Sequence, residues 1–313
     1  MKLVLPEYYI QEENVRFQLA NYIKVNQVGI LVDPFLTEQI TKECREIFKN
    51  TNIKYSIVSF EGVVCFKNIM DYCDFFQSSK VIVGIGGGRV LDACKLIANQ
   101  LNIECIIMPS IASSDAPISR LSVVYHEDGT FSHYQYFNHH PSLVLVDTRL
   151  IFNAPIHLMK AGMADALATY QEMKHAKNKP FMLVELLAKM CEEIILEKGK
   201  KAIEDCQKGI LSDEFDQCIQ AIILLSGVAF ENGGLYIAHD FYNYISKKGL
   251  TNGFMHGQIV AVGLIIQCDF LGEDTCKYKE FLKALHLPHT IEMLGLTKDD
   301  VKEFYYGMEN QIF

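Results

Sequence analysis

The chain reads as two halves with different hydrophobic periods. Up to about Asp147, short apolar runs alternate with segments of helical period; the runs fall at Val28–Val32, Tyr55–Phe60, Val81–Ile85, Cys105–Met108 and Leu143–Val146. Runs such as V-I-V-G-I and L-V-L-V-D have no polar face, as expected of strands in a parallel sheet covered by helices on both sides. Between Leu121 and Tyr136 the pattern changes: Asp128-Gly129 separates S-V-V-Y-H from T-F-S-H-Y, which predicts an antiparallel hairpin projecting from that sheet. After Pro155, apolar residues recur at spacings of three and four over Leu158–His175, Met182–Leu196, Phe215–Phe230 and Gly257–Phe270. The expectation is therefore an α/β N-terminal domain, with a mostly parallel, Rossmann-like sheet, over residues 1–153. An all-α C-terminal domain follows over residues 154–313, the shift in composition falling at Asn153-Ala154-Pro155.

Half of the 313 residues are hydrophobic, enough for well-formed cores in both halves. A net charge of -9, with no basic run interleaved with aromatics, argues against a nucleic-acid partner. The longest apolar stretches, Ala221–Phe230 and Ile259–Ile266, are shorter than the ~20 residues of a spanning helix, so they are expected as buried core helices and no membrane is implied. Pro6 and Glu7 interrupt the region where a secretion signal would be apolar. The ten cysteines are scattered without C-x-x-C spacing, which fits a reducing, cytoplasmic setting.

Candidate chemistry begins at Gly84-Ile85-Gly86-Gly87-Gly88, where an apolar strand ends and a helical segment, R-V-L-D-A-C-K-L-I-A-N, begins. Glycines here let the backbone approach a pyrophosphate, whose charge the free N–H groups of a helix start would favour. Arg89 stands where G-x-G-x-x-G would need its last glycine, so the motif is equally a tight strand-to-helix turn. Asp33 ends the first strand and could accept hydrogen bonds from an adenosine ribose, or cap the turn that starts at Pro34. In the second half, Asp165 in A-G-M-A-D-A-L-A-T, His239 in G-G-L-Y-I-A-H-D and His256 in F-M-H-G-Q-I-V-A-V-G lie in otherwise apolar surroundings. A buried carboxylate is costly without a compensating cation or donor. One carboxylate and two imidazoles would bind a metal and leave a position open for substrate, although a histidine taken singly is more often a hydrogen-bonded core or surface residue.

Taken in series, G-I-G-G-G-R-V-L-D-A-C-K, M-P-S-I-A-S-S-D-A-P-I-S-R-L-S-V-V-Y, A-G-M-A-D-A-L-A-T, E-N-G-G-L-Y-I-A-H and H-G-Q-I-V-A-V-G resemble the glycerol dehydrogenase branch of the iron-containing alcohol dehydrogenase superfamily. The resemblance implies a dehydroquinate synthase-like architecture, NAD as cofactor and one divalent metal, zinc in preference to iron, on Asp165, His239 and His256. It sets Gly86, Gly87, Gly88 and Arg89 at the pyrophosphate, and Asp33 at the adenosine ribose. Ser110, Ser113, Ser119, Leu121 and Tyr125 fall on the nicotinamide side, and Asp115 near the substrate hydroxyls. The implied reaction moves a hydride between a small-molecule alcohol, glycerol or a 1,2-diol, and NAD, in a homo-oligomer.

The chain also departs from that pattern. Arg89 replaces the usual lysine, Arg120 replaces a small residue of the substrate-side loop, and Tyr242 stands where a second histidine follows in A-H-x-x-H-N. Arg120 leaves open a phosphate- or carboxylate-bearing substrate, as in a glycerol-1-phosphate or 2-hydroxycarboxylate dehydrogenase; a dehydroquinate-synthase-like lyase is a further rival. The end at Phe313, where relatives continue, also leaves open an inactive shortened relative acting as a binding or assembly protein.

Overall fold

The computed structural model describes residues 3–176 and 180–311. The chain divides into two compact units, Val4–Pro155 and the chain from Ile156 onward together with Leu3.

In the first unit the strands are β1 (Tyr9–Glu12), β2 (Gln27–Val32), β3 (Lys54–Ser59), β4 (Val81–Gly86), β5 (Glu104–Pro109), β6 (Leu121–Tyr125), β7 (Phe131–Tyr136) and β8 (Leu143–Asp147). The helices are α1 (Leu19–Tyr22), α2 (Thr37–Ile47), α3 (Phe66–Phe76), α4 (Gly88–Leu101) and α5 (Thr148–Phe152). Six strands form one parallel sheet in the order β1-β8-β5-β4-β2-β3, and β6 and β7 pair apart from it as the expected antiparallel hairpin. Alternate strand residues feed two cores. Ile30, Val32, Val83 and Ile85 pack with Val15, Leu19, Ile40 and Phe48 on one face. Leu31 and Ile82 pack with Ile69, Phe76, Val90 and Ile97 on the other. Both faces are therefore dry, which is why these strands read as unbroken apolar runs. Each fully buried Ile or Leu contributes about 1.5–3 kcal/mol relative to an exposed one.

This strand order places the candidate cofactor residues together. From β2 the chain crosses outward to β3, and from β4 it crosses the opposite way to β5, so the order reverses between the neighbours β2 and β4. Open α/β sheets bind ligands at such a reversal, beyond the carboxyl ends of the strands. Asp33 follows β2 directly and Gly86 ends β4.

The second unit is helical throughout its described residues: α6 (Ile156–His175), α7 (Met182–Gln207), α8 (Asp213–Gln220), α9 (Ser226–Gly233), α10 (Ile237–Lys247), α11 (His256–Leu271), α12 (Cys276–Ala284) and α13 (Lys298–Gln311). A π turn over Ala221–Leu225 joins α8 to α9. Helix α7 runs eleven residues past the expected end at Leu196, and α10, α12 and α13 were not anticipated from periodicity. Helix α6 is buried on nearly all sides from Met159 to Thr169 because Ala161, Gly162, Ala164, Ala166 and Ala168 let its neighbours approach closely. Helices α10 and α11 share a core with α13 through Phe241, Ile245, Ile259, Val262, Val301 and Phe304. Among the described residues no single helix is long and apolar enough to cross a membrane; the one pair that qualifies together, Asp213–Gly233 with Ile237–Lys247, is bent by 92°.

Candidate active site

Two glycines of H-G-Q-I-V-A-V-G set the site in the second unit. A Cβ on Gly257 would lie 2.0 Å from the Ala161 carbonyl oxygen and 2.9 Å from Asp165 Cβ, so only glycine lets the start of α11 rest on the backbone of α6. A Cβ on Gly263 would lie 2.5 Å from the Ala238 carbonyl oxygen, so the same helix also lies directly against the start of α10. Helix α11 thus bridges the two elements that carry the other candidate ligands.

As a result Asp165, His239 and His256, scattered over ninety-two residues of sequence, offer ligand atoms all within 4.8 Å of one another. Asp165 Oδ1 is 3.2 Å from His256 Nε2 and 3.7 Å from His239 Nε2. Donor atoms about 2.0–2.2 Å from a tetrahedral metal are separated by about 3.3–3.6 Å, so the observed spacing is that of a ligand set. Asp165 Oδ1 is also buried without a well-formed hydrogen bond, which a bound cation would remedy. Side-chain exposure rises from 8% at Asp165 through 16% at His239 to 35% at His256, so the cluster opens on the His256 side. Burial pushes the Asp165 carboxyl up, but the facing imidazoles outweigh it and hold the group below the ordinary carboxylate value. Three protein donors with one open side suit a catalytic rather than a closed structural metal.

The histidines are themselves held in place. Glu172, two turns along α6 from Asp165 and fully buried, accepts a 2.5 Å hydrogen bond from His239 Nδ1 and further bonds from the backbone N–H groups of His239 and Tyr236. The Tyr242 ring stands edge-on to His256 at 4.1 Å between centroids, and burial raises the pKa of its phenol. Glu172 was not among the candidates from sequence. Its seven-residue spacing from Asp165, which returns to the same helix face, is the signal that could have found it.

In the first unit, the end of β4 meets the end of β2. The Asp33 N–H donates to the Ile85 carbonyl at 2.8 Å, and a Cβ on Gly86 would lie 3.1 Å from Asp33 Cβ and 2.7 Å from Val90 Cβ. The ribose candidate and the glycine turn, fifty-three residues apart in sequence, are therefore in contact. Asp33 also caps the turn at Pro34–Leu36, its carboxylate accepting from Phe35 N–H, as the capping reading expects. Helix α4 starts at Gly88 with no side-chain cap and no acidic residue in its first turn; a Cβ on Gly88 would meet only Ala116, at 3.7 Å. Exposed Arg89 follows in the same turn. The turn is thus an open, positive helix end suited to phosphate.

Ser110 joins this group through its N–H, which donates to the Gly86 carbonyl at 3.0 Å. Ser113 and Asp115 lie partly buried in the loop that follows β5. That loop is anchored by Lys95, a buried residue of α4 that sequence reading treated only as part of the helix. Lys95 Nζ donates to the carbonyls of Ala116 (3.1 Å), Ser119 (3.4 Å) and Leu121, and pairs with Asp92 Oδ1 at 2.9 Å. Asp92 in turn accepts from Val123 N–H at 3.0 Å. Ser119 and Leu121 are thereby tied to the helix that begins at the glycine turn. Tyr125, at the far end of β6, packs partly buried against the core shared with α3 and α4.

Comparisons with known proteins give the family. The iron-containing alcohol dehydrogenase family matches residues 6–148. Glycolaldehyde reductase of Halobacterium salinarum is 31% identical over 94% of this chain and 85% of its own length, and glycerol dehydrogenase of Pseudomonas putida shows the same identity and coverage. The crystal structure of glycerol dehydrogenase from Schizosaccharomyces pombe superposes with a TM-score of 0.88 at 27% identity, covering 96% of this chain and 81% of that one. The chain belongs to the iron-containing alcohol dehydrogenase family, within its glycerol dehydrogenase branch. It is an enzyme of the alcohol dehydrogenase class.

Proposed function

We propose that the chain is a metal-dependent, NAD-linked dehydrogenase that interconverts a small polyol, glycerol or a 1,2-diol, with its hydroxyketone: alcohol and NAD+ give ketone, NADH and a proton. The observation that carries this reading is the buried Asp165 carboxylate facing the Nε2 atoms of His239 and His256 at ligand spacing. A divalent metal there, zinc in preference to iron, would supply Lewis-acid polarisation of the alcohol oxygen. The remaining roles fall to the chain's own groups. Gly86, Gly87, Gly88 and Arg89 receive the pyrophosphate, and Asp33 accepts from the ribose hydroxyls and repels a 2′-phosphate, favouring NAD over NADP. Ser110, Ser113, Ser119, Leu121 and Tyr125 line the nicotinamide side. Asp115 orients or relays the hydroxyl proton through a hydrogen bond. In this reading residues 1–153 form the NAD-binding domain and residues 154–313 the metal- and substrate-binding domain of a homo-oligomer. All ten cysteines are free thiols, in keeping with a reducing, cytoplasmic setting.

Arg120, between Ser119 and Leu121 in the anchored loop, favours a second reading with a phosphate- or carboxylate-bearing substrate. Both are tested by following NAD reduction with glycerol, 1,2-propanediol, glycerol-1-phosphate and a 2-hydroxy acid on metal-loaded protein. Turnover of the uncharged diols supports the polyol reading, preference for the anions moves the assignment to the second, and no turnover of any of the four overturns both.

A further inference from the structure

We infer that Glu172 is a positioning residue for the metal site: it fixes His239 in the Nδ1–H tautomer and so presents the Nε2 lone pair to the metal. The inference rests on the metal reading above. Glu172 is fully buried on α6, and its two oxygens have different partners. Oε1 accepts from the backbone N–H groups of Tyr236, at 3.0 Å, and His239, at 2.8 Å, which are the N-cap and third residue of α10. Tyr236 offers that helix no side-chain cap, so the carboxylate caps it and sits at its positive end. Oε2 faces His239 Nδ1 at 2.5 Å.

A carboxylate only accepts hydrogen bonds, so Nδ1 must carry the ring proton. In the neutral ring that can ligate a metal, Nε2 is then the unprotonated nitrogen, and Nε2 is the atom that faces Asp165 Oδ1. Backbone capping and ring orientation thus meet in one carboxyl group: the oxygen that holds the start of α10 also fixes the angle from which the other oxygen holds the ring. A carboxylate hydrogen-bonded to a ligating imidazole both fixes its tautomer and raises its basicity.

Glu172→Gln separates the two roles. Two backbone donors converge on Oε1, so the amide oxygen stays there and the cap survives. The amide NH2 then faces Nδ1, which must become an acceptor, and the ring proton moves to Nε2, where it blocks the metal. The expected loss of zinc affinity is about 10- to 100-fold.

The test uses the metal-free full chain with 15N-labelled histidine, the His239 signal being assigned by its loss in His239→Asn, together with zinc titration against a competing chelator. The expected result is an Nδ1–H tautomer in the wild type, an Nε2–H tautomer in Glu172→Gln with unchanged circular dichroism, and zinc affinity reduced by the stated factor. An Nε2–H tautomer in the wild type overturns the inference whether or not the variant folds, as does a Glu172→Gln protein that binds zinc as tightly as the wild type. Asp165→Asn distinguishes the two levels of the account. If it abolishes zinc binding while Glu172→Gln leaves binding unchanged, only the role of Glu172 fails; if Asp165→Asn also binds zinc normally, the metal reading fails with it.

Discussion

Gly257→Ala adds one methyl group at the point where α11 rests on α6. The new Cβ would lie 2.0 Å from the Ala161 carbonyl oxygen, whereas carbon–oxygen contacts settle at about 3.3 Å, so the helices must separate by roughly 1.3 Å at this point. Overpacking of this kind costs about 1–3 kcal/mol of stability. The site is affected more severely, because His256 is the adjacent residue and Asp165 Cβ is the second contact, at 2.9 Å. Metal sites tolerate ligand displacements of about 0.2 Å, so the separation exceeds the tolerance several-fold. The expected outcome is a folded protein with a midpoint shifted by no more than the overpacking cost, at least tenfold weaker zinc binding and turnover reduced by about 10²-fold, the usual effect of a 1 Å misplacement. Urea unfolding, chelator competition and NAD reduction measure the three quantities. A Gly257→Ala protein with wild-type zinc affinity and turnover would refute the argument that this contact sets the ligand geometry.

Three further outcomes follow from individual contacts. Lys95→Met removes the cation from the buried pair with Asp92 and releases the carbonyls of Ala116, Ser119 and Leu121; chemical denaturation should show a loss of about 3–5 kcal/mol, the usual cost of stranding a buried charge. Asp33→Ser removes the group expected to repel a 2′-phosphate, so the ratio of kcat/KM for NAD to that for NADP should fall, and an unchanged ratio would remove Asp33 from the ribose position. Burial pushes the Glu273 carboxyl up, but its bonds from Lys174 and His175 outweigh this and hold it below its ordinary value. A depressed carboxylate contributes stability above its unfolded pKa and loses it as pH falls through the lower folded value, so Glu273→Gln should flatten the decline in stability on the acid side, as read by unfolding midpoints across that range.

The parts of the fold that were legible are those whose environment is uniform along the element. Strands β2, β4, β5 and β8 are buried on both faces and read as apolar runs, and the Asp128-Gly129 turn announced the hairpin. Strand β1 is four residues long, only partly buried and paired on one side alone, so Tyr9–Glu12 carried no period. The later half of α7, rich in Glu and Lys, is stabilised by packing that composition does not reveal: a Cβ on Gly199 would meet Phe281 at 2.9 Å. Helix α13, polar overall, contributes Val301, Phe304 and Met308 to a core whose other members lie mostly on α10 and α11. Residue types alone placed Asp165, His239 and His256 on a common chemistry, but not at a common point. Their convergence depends on the close approaches at Gly257 and Gly263, which become visible only when the helices are packed. Glu172 was missed for a related reason: in T-Y-Q-E-M-K-H it resembles a solvated helix end, and only the packing of α10 onto α6 buries it.

If one divalent metal on Asp165, His239 and His256 makes this chain a dehydrogenase of small alcohols, turnover must follow occupancy of that site. The most direct measurement strips the protein of metal, adds back zinc or iron to one equivalent per chain, and follows NAD reduction with glycerol and 1,2-propanediol, with Asp165→Asn carried through the same steps. The expected result is no turnover in the stripped protein, recovery that saturates at one equivalent, and no recovery in Asp165→Asn. Turnover that persists without metal, or recovery in Asp165→Asn equal to that of the wild type, would contradict it.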